Sequence, residues 1–268
     1  MDLSVIASEI QGSTRDDQAA HVPGVAAGAC AGTAQGHLVK RPPHGPNVAR
    51  GRRAGTIVRM RDMTQPHATR WDDVYTSKRS DEVSWFQSEP EQSLRHITAI
   101  SDCDGSVVDV GAGASLLVDR LLDLGFHDIT LVDISTQALG EVRDRLGIRA
   151  GQVTFTRADL LQWQPGRTFD VWHDRAVFHF LTRPEDRDRY VALATSSVVP
   201  GGHLVLATFA LDGPTHCSGL EIARFDASML GDLFAPGFAL VDSDREEHRT
   251  PWGAVQPFTW VILRSTLA

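Results

Sequence analysis

Val107-Val108-Asp109-Val110-Gly111-Ala112-Gly113-Ala114-Ser115 joins a short β-branched strand, an acid near its end and a Gly-X-Gly turn that opens a helix. Glycine enters backbone conformations closed to other residues and lets a ligand come close to the chain, while the first turn of a helix presents unpaired N–H groups. The stretch therefore reads as a strand, a turn for a nucleotide-type cofactor and a helix. A dinucleotide fingerprint wants a third glycine at position 116, which is leucine here, and a pyrophosphate is poorly matched to the carboxylate of Asp109. An acid beside amide donors suits a ligand with positive groups instead.

Downstream, Asp128-Ile129-Thr130-Leu131-Val132-Asp133 reads as a second strand that ends in an acid about 20 residues past the turn, where a ribose diol is held. A third strand, 152–157, leads into Ala158-Asp159-Leu160, whose carboxylate suits an exocyclic amine such as that of adenine. Between them lie helical patterns. Leu116 to Leu124 carries apolar residues at 116, 117, 121, 122 and 124 and stops at Gly125, and Ser135 is an N-cap for a helix through Leu146 that Gly147 terminates. Phe169 to Asp174 is a fourth strand. Pro184 starts another helix, which Pro200-Gly201-Gly202 stops before a strand over 203–209. The last strands, 238–243 and 257–263, have a connector too short for a helical crossover and are predicted to pair antiparallel. Alternating strands and helices specify an α/β protein with a mostly parallel sheet.

Taken in order, these segments resemble the class I methyltransferases that use S-adenosylmethionine. Asp109-Val110-Gly111-Ala112-Gly113 matches the glycine motif, Asp133 the ribose acid and Ala158-Asp159-Leu160 the adenine contact. Phe169-Asp170-Val171-Trp172-His173-Asp174 matches the fourth strand, and Val199-Pro200-Gly201-Gly202-His203-Leu204 the turn into the fifth. The resemblance runs from Trp71 to Arg264. It implies a Rossmann-like methyltransferase fold, with a mostly parallel seven-stranded sheet, helices on both faces and a C-terminal antiparallel hairpin. It also implies S-adenosyl-L-methionine as cofactor, held by Trp71, Tyr75, Trp85, Asp109, Gly111, Ala112, Gly113, Asp133, Ile134, Asp159, Leu160 and His173. Thr69 to Tyr75 looks like the opening helix that covers the cofactor in this family. Ser84-Trp85-Phe86-Gln87 is similar to a segment of one bacterial branch, in which Trp85 and Phe86 either line the methionine end and acceptor mouth or staple the lid to the core.

Methyl transfer asks mainly for orientation and an unprotonated nucleophile, so side-chain chemistry is confined to an optional base. His173 and Asp174, on the fourth-strand loop, are the catalytic candidates, with Asp174 and Arg175 alternatively pairing to fix that loop. His179, His216, Cys217 and His248 are the acceptor-binding candidates. Each also has a purely structural reading, as a buried histidine or as part of a small polar turn. The expected acceptor is a small molecule methylated at oxygen, nitrogen or sulfur. A protein lysine acceptor and a non-catalytic cofactor binder are the alternatives, because the opening segment also resembles some lysine-modifying relatives.

Composition bounds the rest. Of 268 residues, 42% are hydrophobic and 22% charged, which supplies a core, and a net charge of −8 argues against a general nucleic-acid surface. Cys30, Cys103 and Cys217 show neither paired nor metal-ligand spacing, so no metal is expected and a cytoplasmic location fits. No stretch approaches the roughly 20 apolar residues of a membrane span, and no signal-peptide pattern opens the chain. Residues 1–65, rich in Gly, Ala, Pro and Arg, are expected to be a disordered extension, with the methyltransferase domain over 66–268.

Overall fold

In the computed structural model, which describes residues 64–267, the glycine turn leaves an interior strand of the sheet. That strand, β1 (Val107–Val110), is buried along its whole length, as a strand covered on both faces must be. Around it stand β2 (Ile129–Asp133), β3 (Val153–Arg157), β4 (Phe169–Arg175), β5 (Val198–Phe209), β8 (Phe238–Arg249) and β9 (Val255–Ser265). Their order is β3-β2-β1-β4-β5-β9-β8, parallel from β3 to β5 and antiparallel through β9 and β8. A separate two-stranded sheet pairs β6 (His216–Cys217) with β7 (Leu220–Glu221). The chain winds outward through β2 and β3, then returns to place β4 on the other side of β1. This makes a topological switch point between β1 and β4, where open α/β sheets bind ligands beyond the carboxyl ends of their strands.

Alternation along the strands sorts the core into two layers. Val107, Val171, Val205, Ala207, Phe258 and Trp260 face α2 (Glu91–Ile100), α3 (Leu117–Asp123) and α4 (Thr136–Leu146). Val108, Val110, Trp172, Leu204, Leu206 and Val261 face α5 (Pro184–Ser197) and α6 (Ala227–Phe234). On β4 this puts Val171, His173 and Arg175 on the first face, and Trp172 and Asp174 on the second. The expected caps are present. Ser135 Oγ accepts from the Ala138 N–H, Gly147 ends α4 at φ +57°, and Pro184 starts α5 ahead of Glu185 and Asp186.

Boundaries differ where glycine or polar residues blur the pattern. β5 starts at Val198, five residues before the expected His203, because Pro200-Gly201-Gly202 bends the strand without ending it. A Cβ on Gly202 would lie 2.8 Å from the Asp170 carbonyl oxygen, and the register with β4 shifts at that point. β8 continues to Arg249 instead of stopping at Ser243; its second half is polar, and the inward positions there are Glu246 and His248. The short sheet and α6 carry no expectation from the pattern analysis. α1 (Thr64–Ser77) is longer than the expected 69–75, and its first two residues fall before the expected domain boundary. The rest of the expected extension, with Cys30, lies outside the described residues. Among those described, no helix is long and apolar enough to cross a membrane.

Candidate active site

Beyond β1 the chain turns through Gly111 at φ +63° and Gly113 at φ +53°. A Cβ on Gly111 would lie 1.9 Å from Val177 Cγ2, and one on Gly113 would lie 2.3 Å from the Tyr75 hydroxyl, so both conformation and space demand glycine. The Gly111 and Ala112 N–H groups donate to the Val132 carbonyl, binding the turn to β2. Asp133 at the end of β2 then closes over it. Its Oδ2 accepts from the Gly113 N–H at 2.8 Å and its Oδ1 from the Ser135 N–H at 2.7 Å. Burial raises the Asp133 carboxyl to about 6 against these two bonds, and the neighbouring Asp109 pushes the same way.

Asp109 and His173 are register partners on β1 and β4. Their side chains meet at 2.7 Å between Oδ1 and Nδ1, and His173 Nε2 lies 2.9 Å from Ser93 Oγ on α2. A carboxylate only accepts, so the imidazole proton sits on Nδ1 and Nε2 accepts from the serine hydroxyl. All three groups are at most 4% exposed. Ser93, His173 and Asp109 follow the order of nucleophile, base and orienting acid, with both ring nitrogens engaged as that order requires. The arrangement holds Asp109 in place beside the turn.

The lid comes from α1 and the segment after it. Asp72 Oδ1 accepts from Ser135 Oγ at 2.7 Å and from the Gln137 N–H at 3.2 Å, an anion at the N-terminus of α4. That anchor lays Tyr75 over Gly113; burial and the Asp133 charge push the Tyr75 phenol above its ordinary range. Trp71 meets Trp85 edge-on at 5.8 Å and Phe180 at 5.4 Å. The Trp85 and Ser84 carbonyls accept from Arg175 Nη1 at 3.1 Å and His248 Nε2 at 2.7 Å, and Gln87 Nε2 donates to Glu246 at 2.7 Å. Under this lid lies a cleft lined by Tyr75, Ser80, Val83, Trp85, Phe86, Gln87, Ser93, Asp109, Gly111 to Ser115, His173 and Arg175. The two readings of Trp85 and Phe86 thus coincide, since the same segment lines the cleft and is stitched to the core.

Of the expected cofactor residues, Tyr75, Trp85, Asp109, Gly111, Ala112, Gly113 and His173 come together on this cleft. Asp133 adjoins it through Gly113, and Trp71 stands behind Trp85. Ile134 follows Asp133, and the Ala158 N–H donates to the Asp133 carbonyl. Asp159 Oδ1 caps the short turn at 160–162, and Leu160 packs with the Trp172 layer. Asp174 lies on the opposite face from His173, fully buried and bonded to Tyr190, Val177 and Phe178. It does not pair with Arg175.

The four acceptor candidates do not line the cleft. His179 is fully buried against Phe180 and Phe209, has no partner on either ring nitrogen, and is pushed down to about 3 by burial, so it is neutral. His216 is exposed on β6 while Cys217, its neighbour, is a buried free thiol pushed up to about 11 by burial. Strand alternation turns the pair to opposite sides. His248 fastens the lid. Ser93, Gln87, Arg175 and Glu246 carry the polar architecture that motif reading misses. The only local signal is at Glu246 and His248, polar residues two apart in a strand that turns them inward.

Residues 107–202 match the sequence family described as a methyltransferase domain. Similar curated proteins are the eEF1A lysine and N-terminal methyltransferases of Mus musculus and Bos taurus, 28% and 29% identical over 111 residues. That match takes in 39% of this chain but only 16% of each relative. Among solved structures, the 1,6-didemethyltoxoflavin-N1-methyltransferase of Burkholderia thailandensis, with 1,6-didemethyltoxoflavin and S-adenosylhomocysteine bound, superposes with a TM-score of 0.56 at 20% identity, covering 76% of this chain and 87% of that one. The N-methyltransferase NodS of Bradyrhizobium japonicum, also with S-adenosylhomocysteine, gives 0.58 at 14% identity, over 74% and 99%. Magnesium protoporphyrin IX methyltransferase of Synechocystis gives 0.58 at 15%, over 75% and 99%.

Proposed function

The chain carries a class I S-adenosylmethionine-dependent methyltransferase domain, and on that premise we propose that it methylates a nucleophilic oxygen, nitrogen or sulfur atom of a small molecule. The observation that carries the cofactor assignment is the glycine turn enclosed by Asp109 on one side and Asp133 on the other, with no room for a side chain at Gly111 or Gly113. These residues fit the group. Asp109 offers an acceptor to its ammonium, the turn offers a close approach free of side chains, and Asp133 offers acceptors to a ribose diol. Bound there, the cofactor supplies a methyl group already activated on sulfonium. The chain's own task is to orient the acceptor and exclude water, and the lid does both.

A small acceptor is favoured by the lid itself, since the three bonds through Ser84, Trp85 and Gln87 roof the cleft. A protein lysine acceptor is the second reading, supported by the partial similarity to eEF1A methyltransferases. Turnover of isotopically labelled S-adenosylmethionine against small-molecule and peptide acceptors decides between them. Label found only on peptides would refute the small-molecule reading.

His173 holds Asp109, and its removal should act mainly on cofactor binding. His173→Ala is expected to weaken S-adenosylhomocysteine by about tenfold, the worth of roughly one hydrogen bond to a charged group. The pH profile of turnover should keep its shape. Unchanged affinity together with loss of the acidic limb of that profile would make His173 a proton acceptor after all.

Asp133 also predicts a pH dependence. Its carboxyl titrates near 6, and only the ionised form accepts both hydroxyls of a ribose. S-adenosylhomocysteine affinity should therefore be constant above about pH 7 and fall below about 6, by up to tenfold per pH unit. Calorimetry at a series of pH values checks this. Asp133→Asn should bind more weakly and lose the dependence; a parent curve flat to pH 5 would contradict the reading.

A further inference from the structure

Arg175 ends β4 two residues beyond His173, on the same face of the sheet. Its side chain is 10% exposed, and its guanidinium lies over the Phe258 ring, 4.7 Å from the ring centre. Nη1 donates to the Trp85 carbonyl at 3.1 Å, whereas Nε and Nη2 have no hydrogen-bond partner. A buried guanidinium with unused donors is costly, and such groups in folded proteins generally have a partner to meet.

The nearest acid does not fill that role. Glu246 Oε1 is 3.7 Å from Nη2, beyond hydrogen-bonding range. Gln87 Nε2 holds Oε1 at 2.7 Å, and Trp260 Nε1 holds Oε2 at 2.9 Å. Glu246 thus balances charge while being kept off the guanidinium. Nε and Nη2 form one edge of that planar group, the side-on edge that takes a carboxylate through two parallel bonds. Arg175 also lines the cleft, next to Trp85 and Phe86.

We propose that the buried, unpaired Nε–Nη2 edge of Arg175 binds a carboxylate on the methyl acceptor, so that the substrates of this site are small carboxylic acids. The proposal rests on the methyltransferase reading and names the acceptor class for the same cleft. Position separates the acceptor from the cofactor. Arg175 takes its neighbours from β8, β9 and the lid, whereas Asp109, Gly113 and Asp133 gather toward β2. The aromatic walls at Trp85 and Phe86 suit a flat apolar body behind the carboxylate.

The test uses the full chain, with and without saturating S-adenosylhomocysteine, and ligand-detected NMR with benzoate, 3-phenylpropionate, their neutral amides and benzylamine. At least one carboxylate is expected to bind about tenfold or more tightly than its own amide, and Arg175→Met should abolish that preference. Arg175→Lys, which keeps the charge but loses the fork, should retain part of it. The parent chain's discrimination between acid and amide stands even if a variant misfolds. Equal binding of acid and amide, binding of no probe, or preference for benzylamine would overturn the proposal; the last would point to Glu246 selecting a cation. Loss of acid binding from the parent chain when S-adenosylhomocysteine saturates it would overturn it too, by assigning the edge to the cofactor's own carboxylate. Failure of the parent to bind S-adenosylhomocysteine, with acid preference intact in the free chain, would sink the methyltransferase reading and leave the carboxylate site standing.

Discussion

An Asp133→Ala variant is expected to bind S-adenosylhomocysteine at least about a hundredfold more weakly than the parent chain at neutral pH, a loss of about 3 kcal/mol or more. Two effects add. The carboxylate is the only acid at the end of β2 and the acceptor proposed for the ribose, so alanine removes two bonds between ligand and a charged group. It also frees the Gly113 and Ser135 N–H groups, which Asp133 now ties together, and so loosens the turn that Asp109 and the amides share. The folded state feels two opposed effects, the stranding of those two buried donors against relief from a buried charge, so its stability should change less than the affinity. Burial raises the Asp133 carboxyl to about 6, so above that pH the empty protein carries the cost of an ionised group that prefers its proton. That cost is relieved as pH falls from about 6 toward 4, and alanine removes it at neutral pH. Calorimetry for affinity and a thermal melt for stability test both halves. Affinity within about threefold of the parent would remove Asp133 from the cofactor site and with it the main support for the turn's assignment.

The turn, the strand-end acids and the sheet are legible in the sequence because each leaves a local signature. A strand buried on both faces is a run of β-branched residues, a turn at positive φ needs glycine, and Ser135 and Gly147 mark the ends of α4. The polar lining of the cleft leaves none. Ser93 reaches His173 across 80 residues, and Gln87 reaches Glu246 across 159, so neither pairing has a spacing to recognise. Adjacent residues mislead in the other direction. His173, Asp174 and Arg175 read as one polar loop, yet the pleat of β4 sends the first and third into the cleft and the second into the opposite layer. His216 and Cys217 are divided in the same way, one exposed and one in the core. Histidines invite chemical readings from sequence alone, but His248 spends its Nε2 on the Ser84 carbonyl and His179 is neutral in an apolar setting.

Asp174→Ala should lower the melting temperature by about 10 °C while leaving S-adenosylhomocysteine affinity, measured well below the transition, within about twofold. Asp174 is 0% exposed and accepts from the Val177 N–H at 2.9 Å, from the Phe178 N–H at 3.2 Å and from the Tyr190 hydroxyl at 2.6 Å. Tyr190 in turn accepts from Trp172 Nε1 at 3.0 Å, so one carboxylate anchors both the chain reversal after β4 and the aromatic layer beneath it. Alanine strands three donors where water cannot reach them, a cost of about 3 to 5 kcal/mol after allowance for no longer burying an acid. In a fold of this size each kcal/mol is worth roughly 2 to 4 °C. Asp174→Asn should cost less, because its amide oxygen still accepts from the backbone. The carboxyl, held up near 6 by burial, has the value of a proton carrier but not the place of one, since it faces away from the cleft. Loss of turnover in an Asp174→Asn protein with unchanged melting temperature and cofactor affinity would reverse that conclusion and put Asp174 in the reaction.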